Sequence, residues 1–430
     1  MNEPVFLQSL KKRGDHLGLS RIHHLLALLG NPQERLQVVA VAGTNGKGSV
    51  CCFLDEILQK AGLVVGRFTS PQVFSFEERF SVNGVPLTEE EWDICVRPIE
   101  AACRKIEEET GVEDGEALLL LPTLFEVEVV FAILYFIYKE CDIVIMEAGM
   151  GGELDATNVF SHPLLCVFTS IGLDHTAFLG ATTEEIARHK AGLLKQGERA
   201  VSIWQKEEVA EVLWEEADRL GVSLSFADRS LLEEVSYQPL TFSYGDVGPV
   251  VCGMEGEYQI ENAVVSLLAA KALRDAGYRI LEEHILQGIL RAYWPGRMER
   301  LVLEKCPQAP GASMEVYLDG AHNVPAARVL KVTIRRRFAG QRLAIIIGMF
   351  ADKDVEGVMA LLAPEAAVLI CVSPSSPRGL PAKELAKKAA RFATGDIRVA
   401  QSASQAVSLG TGSGAEHCLV CGSLIILAEM

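Results

Sequence analysis

The sequence has no surplus of basic residues. Forty lysines and arginines face 57 aspartates and glutamates, a net charge of −17. Nucleic acids and anionic membranes are held by basic faces, so neither is an expected partner. Small anionic ligands remain open, because one local basic pocket is enough for them. Long apolar runs are also lacking. The longest, Val129 to Tyr138, has ten residues, whereas a membrane span needs about 20. Met1 to Arg13 carries Glu3 early and has no apolar signal region, so a cytoplasmic location is expected. The eleven cysteines are odd in number and scattered. Only Cys418 and Cys421 form a C-x-x-C, and no second pair completes a zinc site. In Cys418-Leu419-Val420-Cys421, strand alternation would send the two thiols to opposite faces, so buried free thiols are expected. Cys51 and Cys52 fall inside an apolar helical pattern and read as core. Internal repeats and low-complexity tracts are missing. So is the Asn-Lys-x-Asp that a guanine-nucleotide switch would carry.

What is present is ordinary globular composition, 49% apolar and 23% charged over 430 residues. At about 150 residues per domain, two or three domains are expected. Strand and helix patterns alternate, which predicts a mostly parallel sheet covered by helices. Strands are expected at 36–42, 64–68, 142–148 and 164–170. Helices are expected at 48–61, 88–110 (capped by Thr88), 125–138 and 183–194. A strand-rich stretch ends near Glu257, and helical patterns follow at 261–276 and 282–292. Trp294-Pro295-Gly296-Arg297 breaks the pattern. A fresh α/β series follows, with strands at 314–318, 342–348, 366–372, 397–400 and 418–421 and helices at 324–338, 354–362 and 382–391. The predicted organisation is an N-terminal P-loop-type domain over 1–294, a linker at 295–297, and a smaller Rossmann-like α/β domain over 298–430.

The strongest local signal is Gly43-Thr44-Asn45-Gly46-Lys47-Gly48-Ser49, between a strand and a helix. Glycines let backbone N–H groups face phosphate oxygens, and the helix N-terminus adds positive potential. Lys47 can reach the terminal phosphates and Ser49 can ligate Mg²⁺. Glu147 ends a buried strand, where α/β proteins bind their ligands, and is a candidate Mg²⁺ ligand. Asp174 and His175 lie past another strand end. Lys190 lies in a helix, where a lone lysine ordinarily faces solvent. Asp319, His322 and Asn323 end one strand and open a helix. Asp319 and His322 could face an interdomain cleft, or the Asp and Asn could simply cap a turn.

Taken in order, these segments resemble the folylpolyglutamate synthase and dihydrofolate synthase/folylpolyglutamate synthase family, within the superfamily of Mur-type ATP-dependent amide ligases. The match runs nearly end to end. It comprises AGTNGKGS (42–49), Thr69-Ser70-Pro71, PTLFE (122–126), EAGMGGELDATN (147–158), SIGLDH (170–175), KAG (190–192), Pro295-Gly296-Arg297, DGAHN (319–323) and Gly422-Ser423-Leu424. The resemblance implies that Ser49, Glu147 and His175 hold two Mg²⁺ ions and that Lys190 is carbamylated and contacts a metal. It implies that Asn262 meets adenine, Arg297 reaches the phosphates, Asp319 faces ATP, and His322 and Ser423 lie on the glutamate side. Ser70, Pro71, Phe125 and Asp155 would belong to the folate site, with 70–79 a loop beside it. Lys47, His175, Lys190 and His322 would be the catalytic set. The implied reaction is ATP-dependent addition of L-glutamate to dihydropteroate and to the γ-carboxylate of folates through an acyl phosphate, by a monomer. Gln72, Glu77 and Glu153 depart from the family's usual His, Asn and Arg, which bears on substrate range and not on the ATP chemistry. Other Mur-type ligases, a nucleotide switch or kinase, and a non-catalytic binding module are the rival readings. The first would lack ELDATN and PTLFE, and the last would not need Lys47, Glu147 and His175 together.

Overall fold

The computed structural model describes residues 4–14, 16–110, 121–303 and 314–430. In chain order the first strands are β1 (Val38–Ala42), β2 (Val65–Phe68), β3 (Phe80–Val82), β4 (Val85–Pro86), β5 (Ile143–Glu147), β6 (Leu165–Phe168), β7 (Arg199–Ser202) and β8 (Ser223–Phe226). They form one sheet in the order β4-β3-β2-β5-β1-β6-β7-β8. β3 and β4 make an antiparallel edge hairpin, and the other strands run parallel. β1 reads VVAVA and is buried at every position. That is the pattern of a parallel strand covered on both faces.

β5 and β6 follow one another in the parallel series yet flank β1 on opposite sides. This reversal opens a crevice at the carboxyl ends of the strands. Val41 pairs in register with Glu147, and Ala42 with Phe168. The residues after Ala42, Glu147 and Phe168 therefore leave the sheet at one level. Val38, Ala40 and Ala42 share one face of β1, and that face is covered by the helices Ser20–Leu28, Glu89–Thr110 and Leu124–Tyr138 on the β2–β5 side and by Thr183–Ala191 and Glu207–Leu220 on the β6–β7 side. Trp92 and Phe131 stack at 4.3 Å within the first core. Thr88 caps its helix as expected: its hydroxyl accepts from Glu91 N at 3.3 Å, and Glu91 returns a carboxylate to Thr88 N at 2.9 Å.

The helix Lys47–Lys60 buries Val50, Leu54, Ile57 and Leu58, together with both cysteines. The helix Glu282–Arg291 approaches it through Gly288. A Cβ added there would lie 2.6 Å from the Ile57 Cα and N.

Two compact units share the chain. The first runs to Val235 and also includes Thr241–Val251 and Glu261–Ala292. The second includes Ser236–Leu240, Cys252–Ile260 and Tyr293–Met430. The two short excursions have no counterpart in the sequence reading, which placed one boundary at 295–297. β9 (Leu232–Tyr237), β10 (Leu240–Tyr244) and β11 (Val247–Val251) form a three-stranded sheet.

The second unit carries β12 (Arg297–Leu303), β13 (Met314–Asp319), β14 (Leu343–Ile347), β15 (Val368–Cys371), β16 (Asp396–Val399) and β17 (His417–Cys421). Their order is β12-β13-β17-β14-β15-β16. β12 runs antiparallel at the edge, and the remaining pairs are parallel. Sequence reading missed β12, because RMERLVL follows Pro-Gly and alternates too weakly. It also missed the helix Ala403–Thr411. Cys418 and Cys421 are buried and free, three positions apart on β17, and only Cys421 joins the core under Leu419.

Gly288→Ala should push the helix Glu282–Arg291 off the helix that begins at Lys47. We expect a loss of about 1–3 kcal/mol, the usual cost of overpacking, in urea unfolding with an unchanged slope. Wild-type stability in that variant would show that the contact relaxes freely.

Candidate active site

The loop Gly43–Gly46 needs its glycines for two separate reasons. Gly43 has φ 154°, and a Cβ there would fall 1.8 Å from the Thr169 hydroxyl. Gly46 has φ 90°, and its Cβ would fall 2.3 Å from Asn262 Oδ1. The loop is laced to the segment after β6. Thr44 N and Asn45 N donate to Ser170 O at 2.8 and 3.2 Å. The Thr44 hydroxyl donates to Gly172 O at 2.9 Å and accepts from Gly172 N at 3.0 Å. Thr169 Oγ1 donates to Asn45 O at 2.7 Å. The Gln205 amide, which sequence reading passed over, braces this segment through Thr169 O at 2.8 Å and Ile171 N at 3.2 Å. The rigid loop leads directly into the first turn of the helix at Lys47, with Gly48 and Ser49 buried. The first backbone N–H groups of a helix have no partner within it, which suits an anion.

Lys47 Nζ donates to Gly43 O at 3.1 Å and Thr44 O at 3.4 Å, and lies 4.0 Å from Glu147 Oε1. The other oxygen of Glu147 accepts from Ser70 N at 3.1 Å. Lys190 reaches the same place from the helix Thr183–Ala191. Its Nζ donates to Gly43 O at 2.8 Å, and the residue is 4% exposed. The bare expectation of a solvated lysine is thus overturned by packing. The backbone of Gly152 lies against the His189 and Lys190 carbonyls, where a Cβ would fall at 2.7 and 2.8 Å. Burial, reinforced by the Lys47 charge, holds the Lys190 amine down at about 7, while Asp155 and Asp174 pull it the other way.

His175 is exposed, with φ 50°, at the start of the short helix Thr176–Leu179. Phe125 lies over Gly149, where a Cβ would meet its ring at 2.5 Å, and its ring centre is 5.9 Å from that of Phe68. The Asp155 carboxylate is buried and accepts from Met150 N at 2.6 Å, Thr157 N at 2.9 Å and the Thr157 hydroxyl at 2.6 Å. It folds the ELDATN loop from within. Burial pushes its carboxyl up despite these donors. Glu153 turns toward the Lys190 helix: its carboxylate is 3.8 Å from His189 Nδ1 and its backbone N donates to His189 O. Gln72 is exposed and Glu77 buried. Sequence reading also missed Arg21, whose Nε lies 3.1 Å from both oxygens of Glu126 in PTLFE.

In the second unit, Asp319 ends β13 buried, accepting from Tyr258 OH at 2.5 Å, Met298 N at 3.2 Å and Ala321 N at 3.0 Å. Burial raises its carboxyl, against Tyr258 and Arg297. Gly320 lies under Arg297, where a Cβ would be 2.4 Å from Nη1. His322 Nδ1 is 2.9 Å from Gly320 O. Asn323 and Ser423 are buried caps: Asn323 Oδ1 accepts from Ala326 N at 2.9 Å and Ser423 Oγ from Ile426 N at 3.3 Å. Ser423 is therefore engaged at the start of its own helix.

Two family models match the chain, the Mur ligase middle domain over 122–270 and the Mur ligase glutamate ligase domain over 296–424. A phosphate loop on a parallel sheet, a buried lysine beside it and a second α/β unit define an ATP-dependent Mur-type ligase. The chain is 37% identical over 386 residues to the dihydrofolate synthase/folylpolyglutamate synthase of Bacillus subtilis (strain 168), covering 87% of this chain and 85% of that one. It is 31% identical over 434 residues to the enzyme of the same name from Escherichia coli (strain K12), covering 99% and 93%. The folylpolyglutamate synthase of Mycobacterium tuberculosis, solved with ADP and AMPPCP, superposes with a TM-score of 0.85 at 28% identity, over 98% of this chain and 96% of that one. E. coli FolC, solved with DHPP and ADP, gives 0.83 at 30% identity, over 98% and 95%. The chain belongs to the dihydrofolate synthase/folylpolyglutamate synthase family.

The Lys190 amine sits at about 7 in the folded chain against an ordinary 10.5. Between those values the unfolded chain holds the extra proton, so this residue makes stability rise with pH across that window. Lys190→Met should therefore be more stable than wild type at pH 7, by about 1–3 kcal/mol. The gap should close toward pH 10. Denaturation curves at several pH values check this, and a gap independent of pH would contradict the buried-amine account.

Proposed function

We propose that this ligase joins the amine of L-glutamate to dihydropteroate and to the γ-carboxylate of reduced folates, converting ATP to ADP and phosphate at each turn. The observation that carries the reading is the Glu147 carboxylate, reached from one side by Lys47 at 4.0 Å and from the other by the backbone N–H of Ser70 at 3.1 Å. The phosphate loop and the candidate folate loop thus share one carboxylate.

A carboxylate resists attack by an amine because its leaving group is oxide. Phosphorylation removes that obstacle. The substrate carboxylate attacks the γ-phosphorus, the bond to ADP breaks, and an acyl phosphate forms. The glutamate amine then adds to the carbonyl carbon, phosphate departs, and the amine proton passes to solvent. Lys47 and the N–H groups of 43–49 hold the phosphates and offset their charge. Ser49 and Glu147 present oxygen donors of the kind Mg²⁺ prefers, and phosphate and water oxygens would complete its shell. When bound, Mg²⁺ supplies charge neutralisation at the transferring phosphoryl group. His175 is the candidate for a second ion. Ser70, Pro71 and Phe125 would hold the pterin-benzoate body, with Asp155 keeping the adjoining loop in shape. Asn262 would meet adenine, Arg297 and Asp319 the nucleotide, and His322 the glutamate side with Ser423 as a fixed neighbour. The named groups come from one chain, so a monomer is sufficient.

The test is a pair of assays on one preparation with saturating ATP, Mg²⁺ and glutamate, one with 7,8-dihydropteroate and one with a tetrahydrofolate monoglutamate. Turnover of both is expected. Turnover of the folate alone would reduce the function to folylpolyglutamate synthase, and of neither would end the folate reading.

Lys190 would act as its carbamate. The neutral amine attacks CO₂, an N–C bond forms, and a proton leaves to solvent. An amine at about 7 is half neutral at neutral pH, and the resulting anion is attracted to Mg²⁺ where an ammonium is repelled. Depleting CO₂ should slow turnover, and bicarbonate should restore it, with the larger effect below pH 7. Activity indifferent to CO₂ at pH 6 would count against the carbamate.

A further inference from the structure

The helix Tyr258–Asp275 begins among residues that pack with the second unit and continues among residues of the first. Its first residue was passed over in the sequence. We propose that Tyr258 is a positioning residue for the nucleotide: its hydroxyl holds Asp319, and through that carboxylate the backbone beside Arg297 and His322. The proposal rests on the reading of Asp319 and Arg297 as nucleotide residues.

The bond from Tyr258 OH to Asp319 Oδ2 is 2.5 Å, in the range of short hydrogen bonds to a carboxylate. The same oxygen accepts from Met298 N at 3.2 Å, and Oδ1 accepts from Ala321 N at 3.0 Å. Met298 has φ 49°, a left-handed conformation that a residue with a side chain keeps only when its surroundings fix it. It directly follows Arg297, and Ala321 directly precedes His322. The carboxylate that Tyr258 steadies therefore sets the backbone beside both.

The tyrosine ring has a separate task. It packs on the core of the second unit. Gly256, at φ 102°, lies beneath it, where a Cβ would be 2.8 Å from the ring. Phenylalanine keeps that packing and removes only the hydroxyl, so ring and hydroxyl can be tested apart.

The experiment is Tyr258→Phe in the full chain. The Kd for ADP, by calorimetry, and the KM for ATP should rise about tenfold, the size of one hydrogen bond to a charged acceptor. The kcat at saturating ATP should stay within about threefold, and the KM for the folate and the melting temperature should hold. Asp319→Asn should raise the same two nucleotide constants. Adding Tyr258→Phe to it should change them by less than about twofold, because the two groups act as one. Unchanged nucleotide constants in Tyr258→Phe would overturn the proposal. So would a uniform change in all constants with a lowered melting temperature, or full additivity in the double variant. ADP binding needs no folate, so failure of the folate assays would leave this test standing.

Discussion

Two lysine side chains end on one carbonyl oxygen, that of Gly43. Lys47 reaches it from the turn that follows, at 3.1 Å, and Lys190 from a helix almost 150 residues further on, at 2.8 Å. Two amines that close cannot both hold a proton comfortably. Lys190 is the buried one, and it yields. Most of the first unit serves to make this convergence possible. β1 delivers Gly43 between β5 and β6. Thr169 allows only a glycine there. The bonds from Ser170 and Gly172 keep the loop from collapsing onto the sheet. The result is two amines and the Glu147 carboxylate gathered at the start of one helix. A chain with net charge −17 can concentrate positive potential there only by such local means.

The same constraint decides what could be read beforehand. The phosphate loop was legible because its chemistry lies within seven consecutive residues and its strand–helix context is local. The central strands β1, β2, β5 and β6 and the strands β13 to β17 were legible because buried parallel strands tend to be continuous apolar runs, whereas the short strands β3, β4 and β7 were not. The burial of Lys190 was not, since it depends on Gly152 coming against the 189–190 carbonyls from a distant loop. The bonding of Asp155 was illegible for the same reason: in sequence it is an acid inside a motif, and in space its oxygens accept from Met150 and Thr157. β12 was missed because an edge strand needs only half its residues buried. The excursions 236–240 and 252–260 were invisible because they pack with residues that follow them only after Ala292.

Burying charge near the phosphate loop has a cost that the rest of the fold offsets. Glu147 is 4% exposed, with Lys47 at 4.0 Å and the Ser70 N–H at 3.1 Å. Asp155 takes three donors within 3 Å from its own loop. A carboxylate optimised for stability would resemble Asp155. Glu147 instead meets the first side chain of the Lys47 helix and a backbone group from the segment after β2. The two buried acids of this region are thus held differently, Asp155 within one loop and Glu147 between two segments.

The second unit repeats the logic with different parts. Asp319 lies at a strand end, as Glu147 does, and is likewise buried. Its three donors come from three separate segments: Tyr258, Met298 and Ala321. It therefore resembles Asp155 in closure and Glu147 in place. Its bonds from Met298 and Ala321 fix the backbone next to Arg297 and His322. Its raised protonation tendency follows from the same enclosure. The sequence motif DGAHN thus surrounds one buried acid that ties together three segments of the second unit.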